Sequence, residues 1–177
     1  MTDSDELIKL RREDAIEKIS KWLRDSGYEI KESSDPQLKA KNYYYANISA
    51  LGNKSSVYFP GNKPDNLIID TDMFLKEEDY NLLRTQKRHI QNRFIFDLQT
   101  ALLQMPSVRH NVMHDDKGNF ARLKVYKEIY FDGLTKHMFM TSIADIAEGV
   151  MLCLIKFGQF RDSLWPEGAG KSNQYNE

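Results

Sequence analysis

The sequence predicts an α+β protein, a mostly antiparallel sheet with elements in the order α-β-β-β-α-β-β-α. Three observations predict it. Apolar residues recur at helical spacing in three separated segments, near residues 7–23, 83–105 and 135–163. Between them run short stretches rich in Tyr, Ile and Val, each bounded by Pro, Gly, Asn or Asp. Most of those stretches follow one another directly, so hairpins rather than helical crossovers join them.

The first helix is expected from about Asp5 to Ser26, with Ser4 as its cap and Gly27 where a left-handed C-terminal residue is wanted. Leu7, Ile8, Ala15, Ile16, Ile19, Trp22 and Leu23 keep largely to one side of it. Strand character follows in YEIKES, AKNYYYANISAL, SSVYF and NLIID, with turn signals at Asp35-Pro36, Gly52-Asn53 and Pro60-Gly61. The last two stretches read either as separate strands or as one bent edge strand. A second helix is expected from near Lys76, with Glu77, Glu78 and Asp79 at the positive end of its dipole and Pro106 closing it. The strand pair SVRHNVMH and FARLKVYKEIYF comes next, then a last helix from about Thr135 to Ser163. That helix turns apolar nearly all round at VMLCLI, which implies cover on more than one side. Residues 1–163 form a single α+β domain in this reading, and 164–177 a flexible C-terminal tail.

Composition narrows the function classes. A chain of 177 residues with 41% hydrophobic residues is long enough for one proper core. A net charge of −1 gives no general attraction to nucleic acid or anionic membrane. The single cysteine, Cys153, excludes an internal disulfide and a cysteine-based zinc cluster, and its apolar neighbours mark it as a buried thiol. The N-terminal MTDSDELIKLRRED lacks the apolar run of a signal peptide, and no uncharged stretch of membrane-spanning length is present. A cytoplasmic protein without a membrane partner is expected.

The stretch RHNVMHDDKGN holds the residues most suggestive of chemistry, His110, His114, Asp115 and Asp116. On a strand, residues four apart lie about 13 Å apart, too far for both imidazoles to reach one zinc ion at about 2 Å. The aspartates and Gly118 read as the turn of a hairpin. GAGKS at 168–172 resembles a phosphate loop, but Trp165 stands where its first glycine is required. Asp132 and His137 read as strand-to-helix punctuation more than as an acid–base pair. No nucleophile elbow, HExxH, EF-hand or dinucleotide fingerprint is found, so no catalytic, cofactor-binding or metal residue is assigned. Arg84, Lys87, Arg88, His89 and Arg93 form a basic stripe. Without interleaved aromatics it reads as a solvated face and makes nucleic acid a poor fit. Tyr43, Tyr45, Met151, Leu154 and Ile155 are the candidate interface residues, from a tyrosine-rich strand and the over-apolar helix.

Three segments carry a resemblance. RFIFDLQTALL (Arg93 to Leu103), IYFDGLTK (Ile129 to Lys136) and PGNKPDNLIID resemble motifs of a prokaryotic, mainly archaeal family of unknown function, with similarity over about residues 8–160. The element order is similar to that of type III secretion chaperones. That resemblance implies a homodimer that binds polypeptide segments, with no catalytic residues. The expectation is therefore a non-enzymatic protein-binding module, adaptor or chaperone-like, without a cofactor. The alternative is a small-molecule sensor or an unrecognised enzyme with a pocket between sheet and helices.

Overall fold

The computed structural model describes residues 3–32, 44–48, 53–60, 63 and 65–164. Helix α1 (Asp3–Asp25) leads into strands β1 (Glu29–Glu32), β2 (Tyr44–Ile48), β3 (Asn53–Tyr58) and β4 (Asn66–Met73). Helices α2 (Glu77–Thr85) and α3 (Arg88–Leu103) follow, then β5 (Arg109–His114), β6 (Phe120–Tyr130), a short 3-10 turn and α4 (Lys136–Leu164). The six strands form one sheet in the order β1-β2-β3-β4-β6-β5, antiparallel at every pairing. The α+β class and the antiparallel sheet are as the sequence implied.

Gly27, at φ 79°, closes α1 with a Schellman motif: Gly27 N–H donates to the Arg24 carbonyl at 3.0 Å and Tyr28 N–H to that of Leu23 at 2.9 Å. Ser4 falls inside α1 and is not its cap. SSVYF and NLIID belong to two strands, not one bent edge. Val57 pairs with Ile69 across β3 and β4, and β4 lies in the middle of the sheet. Flanked by a strand on either edge, β4 buries its side chains nearly without alternation.

The expected second helix is two. Gln86 and Lys87 turn extended, with ψ of 152° and 144°, and divide α2 from α3. No proline or glycine marks this break. It is held by the buried Gln91, whose Nε2 donates to the Gln86 carbonyl at 2.8 Å and faces that of Arg84 at 3.5 Å. The element order becomes α-β-β-β-β-α-α-β-β-α.

All the core packing joins one face of the sheet to a helical layer in which α4 lies between α1 and α3. Register places Val57, Leu67, Ile69, Leu123, Val125 and Ile129 on that face, all 2% exposed or less. Against them α4 sets Phe139, Ile143, Ile146, Val150 and Cys153, while α1 adds Ala15, Ile19 and Leu23. Each Val, Leu, Ile or Phe among them contributes about 1.5–3 kcal/mol by leaving water. Gly149 lets α4 approach closely, since a Cβ there would stand 3.1 Å from Val125 Cγ1. By length and composition α4 could cross a bilayer, with 29 residues and a hydropathy of 1.7, but a buried core helix has the same profile.

Candidate functional site

Among the described residues no helix covers two faces of this fold: the side of the sheet away from the helical layer, and the outer side of that layer. The hairpin singled out in the sequence lies at the sheet edge. His110 faces the helices opposite Val125, and a bulge follows Met113 before His114. Asp115 organises the turn, accepting from Asn119 N–H at 2.8 Å, Lys117 N–H at 2.9 Å and the Tyr80 hydroxyl at 3.1 Å. The Asn119 hydrogen bonds hold its carboxyl down at about 2. Among the described residues no group of three or more His, Cys, Asp or Glu is placed to hold a metal.

On the outer sheet face the register lines up oppositely charged side chains. Lys124 Nζ donates to Asp70 Oδ2 at 2.6 Å and stands 4.0 Å from Asp72 Oδ2, which Arg122 Nη1 approaches at 3.4 Å. Glu128 receives Lys63 at 2.8 Å and lies 3.5 Å from Arg109. Burial pushes the Asp70 carboxyl above its usual range, while hydrogen bonds from Lys124 and Tyr58 oppose the rise. Lys124 also stands 6.0 Å over the Tyr58 ring. Asp72 Oδ1 and the Asn66 amide are buried without a hydrogen-bond partner among the described residues. This ladder went unassigned in the sequence. Its signal was Asp-x-Asp in a strand of apolar residues, answered by Arg-x-Lys in the partner strand.

The helical layer is different. Between α3 and α4 an open groove of about 790 Å³ runs from His89 and Ser163 at one end to Gln104 and Leu152 at the other. Its floor includes Ile90, Phe94, Leu98 and Ala101. Phe94 stacks against Phe160 at 4.4 Å and Phe157 at 5.3 Å. Beside it α4 presents Met151, Leu154 and Ile155 to solvent, 42%, 44% and 49% exposed. These three sequence candidates are brought together on one ridge, three and four residues apart. Tyr43 lies outside the described residues. Tyr45 holds a register position opposite Lys31 and Ser56, on strands remote from that ridge in sheet order.

The other sequence features have local uses. The basic stripe is divided by the break after α2. Arg84 stands 5.5 Å over Tyr80, Arg88 donates to the Gly118 carbonyl at 2.8 Å, and Arg93 faces Asp97 at 3.9 Å. Thr135 Oγ1 accepts from Met138 N–H at 3.1 Å at the start of α4, so this junction is capped as punctuation. Cys153 is wholly buried, and its thiol is pushed up to about 12 by burial.

Residues 15–157 match a family of uncharacterised conserved proteins, DUF2299. The chain belongs to this family. No curated protein matches it. Among solved structures this DUF2299 chain is similar to an uncharacterised protein from Methanothermobacter thermautotrophicus. That pair shares a TM-score of 0.68 and 20% identity, over 82% of this chain and 99% of the other. It is also similar to YbjN from E. coli, titled "a putative transcription regulator", with a TM-score of 0.54 and 13% identity over 80% and 89% of the two chains. These likenesses give the DUF2299 chain a shared fold with its archaeal neighbour and with YbjN.

Proposed function

We propose that this DUF2299 protein is a non-enzymatic protein-binding module, adaptor or chaperone-like in the manner of type III secretion chaperones, acting in the cytoplasm. The observation that carries the reading is the apolar ridge of Met151, Leu154 and Ile155 beside the α3–α4 groove. A contiguous apolar surface rimmed by polar groups is what a polypeptide partner covers. From His89 to Gln104 the groove follows α3 for about 22 Å, at about 1.5 Å per residue. That length suits an extended or helical segment. The volume also falls in the range of small-molecule pockets, which supports the sensor reading, but an open furrow covers a compact ligand poorly.

A photo-crosslinking side chain at Gln159, on the groove wall, tests the proposal in the protein's own cells. Discrete polypeptide adducts at Gln159, absent when the same probe replaces Asn111 on the sheet edge, are expected. Absence of any polypeptide adduct at Gln159 would sink the protein-binding reading, and a small molecule recovered from the groove would replace it with the sensor.

A further inference from the structure

We infer that the polypeptide seated in the α3–α4 groove is an acidic amphipathic α-helix of about four turns, its apolar stripe on the groove floor and a carboxylate between Arg93 and Lys156. The inference rests on the protein-binding reading and states the chemistry of its partner.

The walls select a helix over an extended chain. Both walls are helices, α3 and α4, whose interior N–H and C=O groups bond within each helix. An extended chain laid on the apolar floor would find no backbone to pair with and would bury unsatisfied groups of its own. A third helix satisfies its backbone internally and needs from the groove only shape and side chains. Four turns span about 22 Å, the length of the groove along α3. The walls run antiparallel: Phe94 meets Phe157 and Phe160, while Met105 lies against Gly149. That alignment sets Ala101 level with Leu152. Ala101 is the smallest apolar side chain on the floor, so a hollow for a large apolar residue lies there. The ridge of Met151 and Ile155 extends the apolar contact along the outer flank of such a helix.

Charge sets the sign of the partner. Among the described lining residues Arg93 and Lys156 are cationic and Asp97 is the one carboxylate. Arg93 lies 3.9 Å from Asp97, whereas Lys156 has no ion-pair partner among the described residues. With Phe94 set between Phe157 and Phe160, Lys156 stands on the opposite wall within about one turn of Arg93. A carboxylate on the inner edge of the docked helix meets both cations. The hollow at Ala101 lies about 9 Å further along, close to two turns of that helix. An acidic and a large apolar residue about two turns apart on one face therefore fit the groove together. A basic helix would bring a third cation to the same place.

Fluorescence anisotropy of the full chain with labelled synthetic peptides of about 18 residues tests this. The first is an Ala-rich helix with Leu at i, i+4, i+7 and i+11 and Glu beside the stripe. The second carries Lys for each Glu, the third has the same composition with Leu spread around the helix, and the fourth has a central Pro. The first should bind about tenfold or more tighter than each of the others. Arg93→Glu with Lys156→Glu should reverse the preference between the Glu and Lys peptides while leaving the urea midpoint of the chain unchanged. Misfolding would not produce that reversal. Equal binding of the Glu and Lys peptides overturns the inference, as does a Glu preference that survives both substitutions. Binding of the Pro peptide as tight as that of the first overturns the helix, and binding by none of them up to about 1 mM overturns the whole inference. The Gln159 adducts separate this from the broader reading: polypeptide adducts without peptide binding leave protein binding standing with a partner of other chemistry, and no adduct removes both.

Discussion

On the outer face of the sheet, Lys124 holds Asp70 at 2.6 Å, and Glu128 is shared by Lys63 and Arg109. On the outer face of α4, Met151, Leu154 and Ile155 stand nearly half exposed, and Glu148 and Lys156 beside them have no ion-pair partner among the described residues. Both surfaces are free of covering helices, yet the first satisfies its charges within the chain and the second leaves apolar area and charge unanswered. Charged side chains alone therefore do not mark a binding surface here. An ion pair made within the sheet holds strands together. An apolar ridge without cover has no such internal account, and the two faces respond differently to substitution.

The largest expected effect is on the sheet. Lys124→Met removes the main partner of a carboxylate only 4% exposed. Leaving such a charge unpaired costs about 3–5 kcal/mol, read as a lower urea midpoint at neutral pH. Burial already raises the folded pKa of Asp70 above 3.8. A carboxyl raised in this way favours folding most below its unfolded pKa and loses that contribution as pH climbs through the folded value. Removing Lys124 raises it further, so the deficit of the variant should shrink as pH falls from about 7 to about 4. A deficit of equal size at both pH values would break the assignment to Asp70.

A smaller effect is expected where the helical layer itself buries a polar group. Gln91→Leu leaves the Gln86 carbonyl without the 2.8 Å hydrogen bond that holds the break between α2 and α3. The loss should be about 1–3 kcal/mol, with faster amide exchange around residues 84–91. Unchanged exchange there would mean that the break is fixed by packing of Leu83 and Phe94 instead.

The same contrast explains what was legible in the sequence. Periodicity located α1 and α4 because each has a stripe that meets the sheet, and Gly27 marked a helix end by its backbone freedom. The division of α2 from α3 was not legible. Its determinant is a glutamine reaching back five residues, which composition does not distinguish from any polar surface residue. Likewise Asp70 and Lys124 are 54 residues apart, and only the β4–β6 register makes them neighbours. The ridge was legible because Met151, Leu154 and Ile155 share a helix; the groove was not, since α3 supplies its other wall. Spacing within one element is visible in sequence, and juxtaposition between elements is not.

The smallest expected effect is the most discriminating. Ile155→Ser exchanges an apolar side chain for a polar one, a change that usually costs several kcal/mol inside a core. At 49% exposure the side chain has little of its own fold to lose. For the isolated chain the urea midpoint should correspond to a change within about 0.5 kcal/mol. With the polypeptide that crosslinks at Gln159 present, the native protein should gain stability, and the variant should not. The sign of the comparison thus lies in the dependence on that partner. A large loss that is the same with and without the partner would place Ile155 in the internal packing of the chain, and the outer face of α4 would cease to be a binding surface.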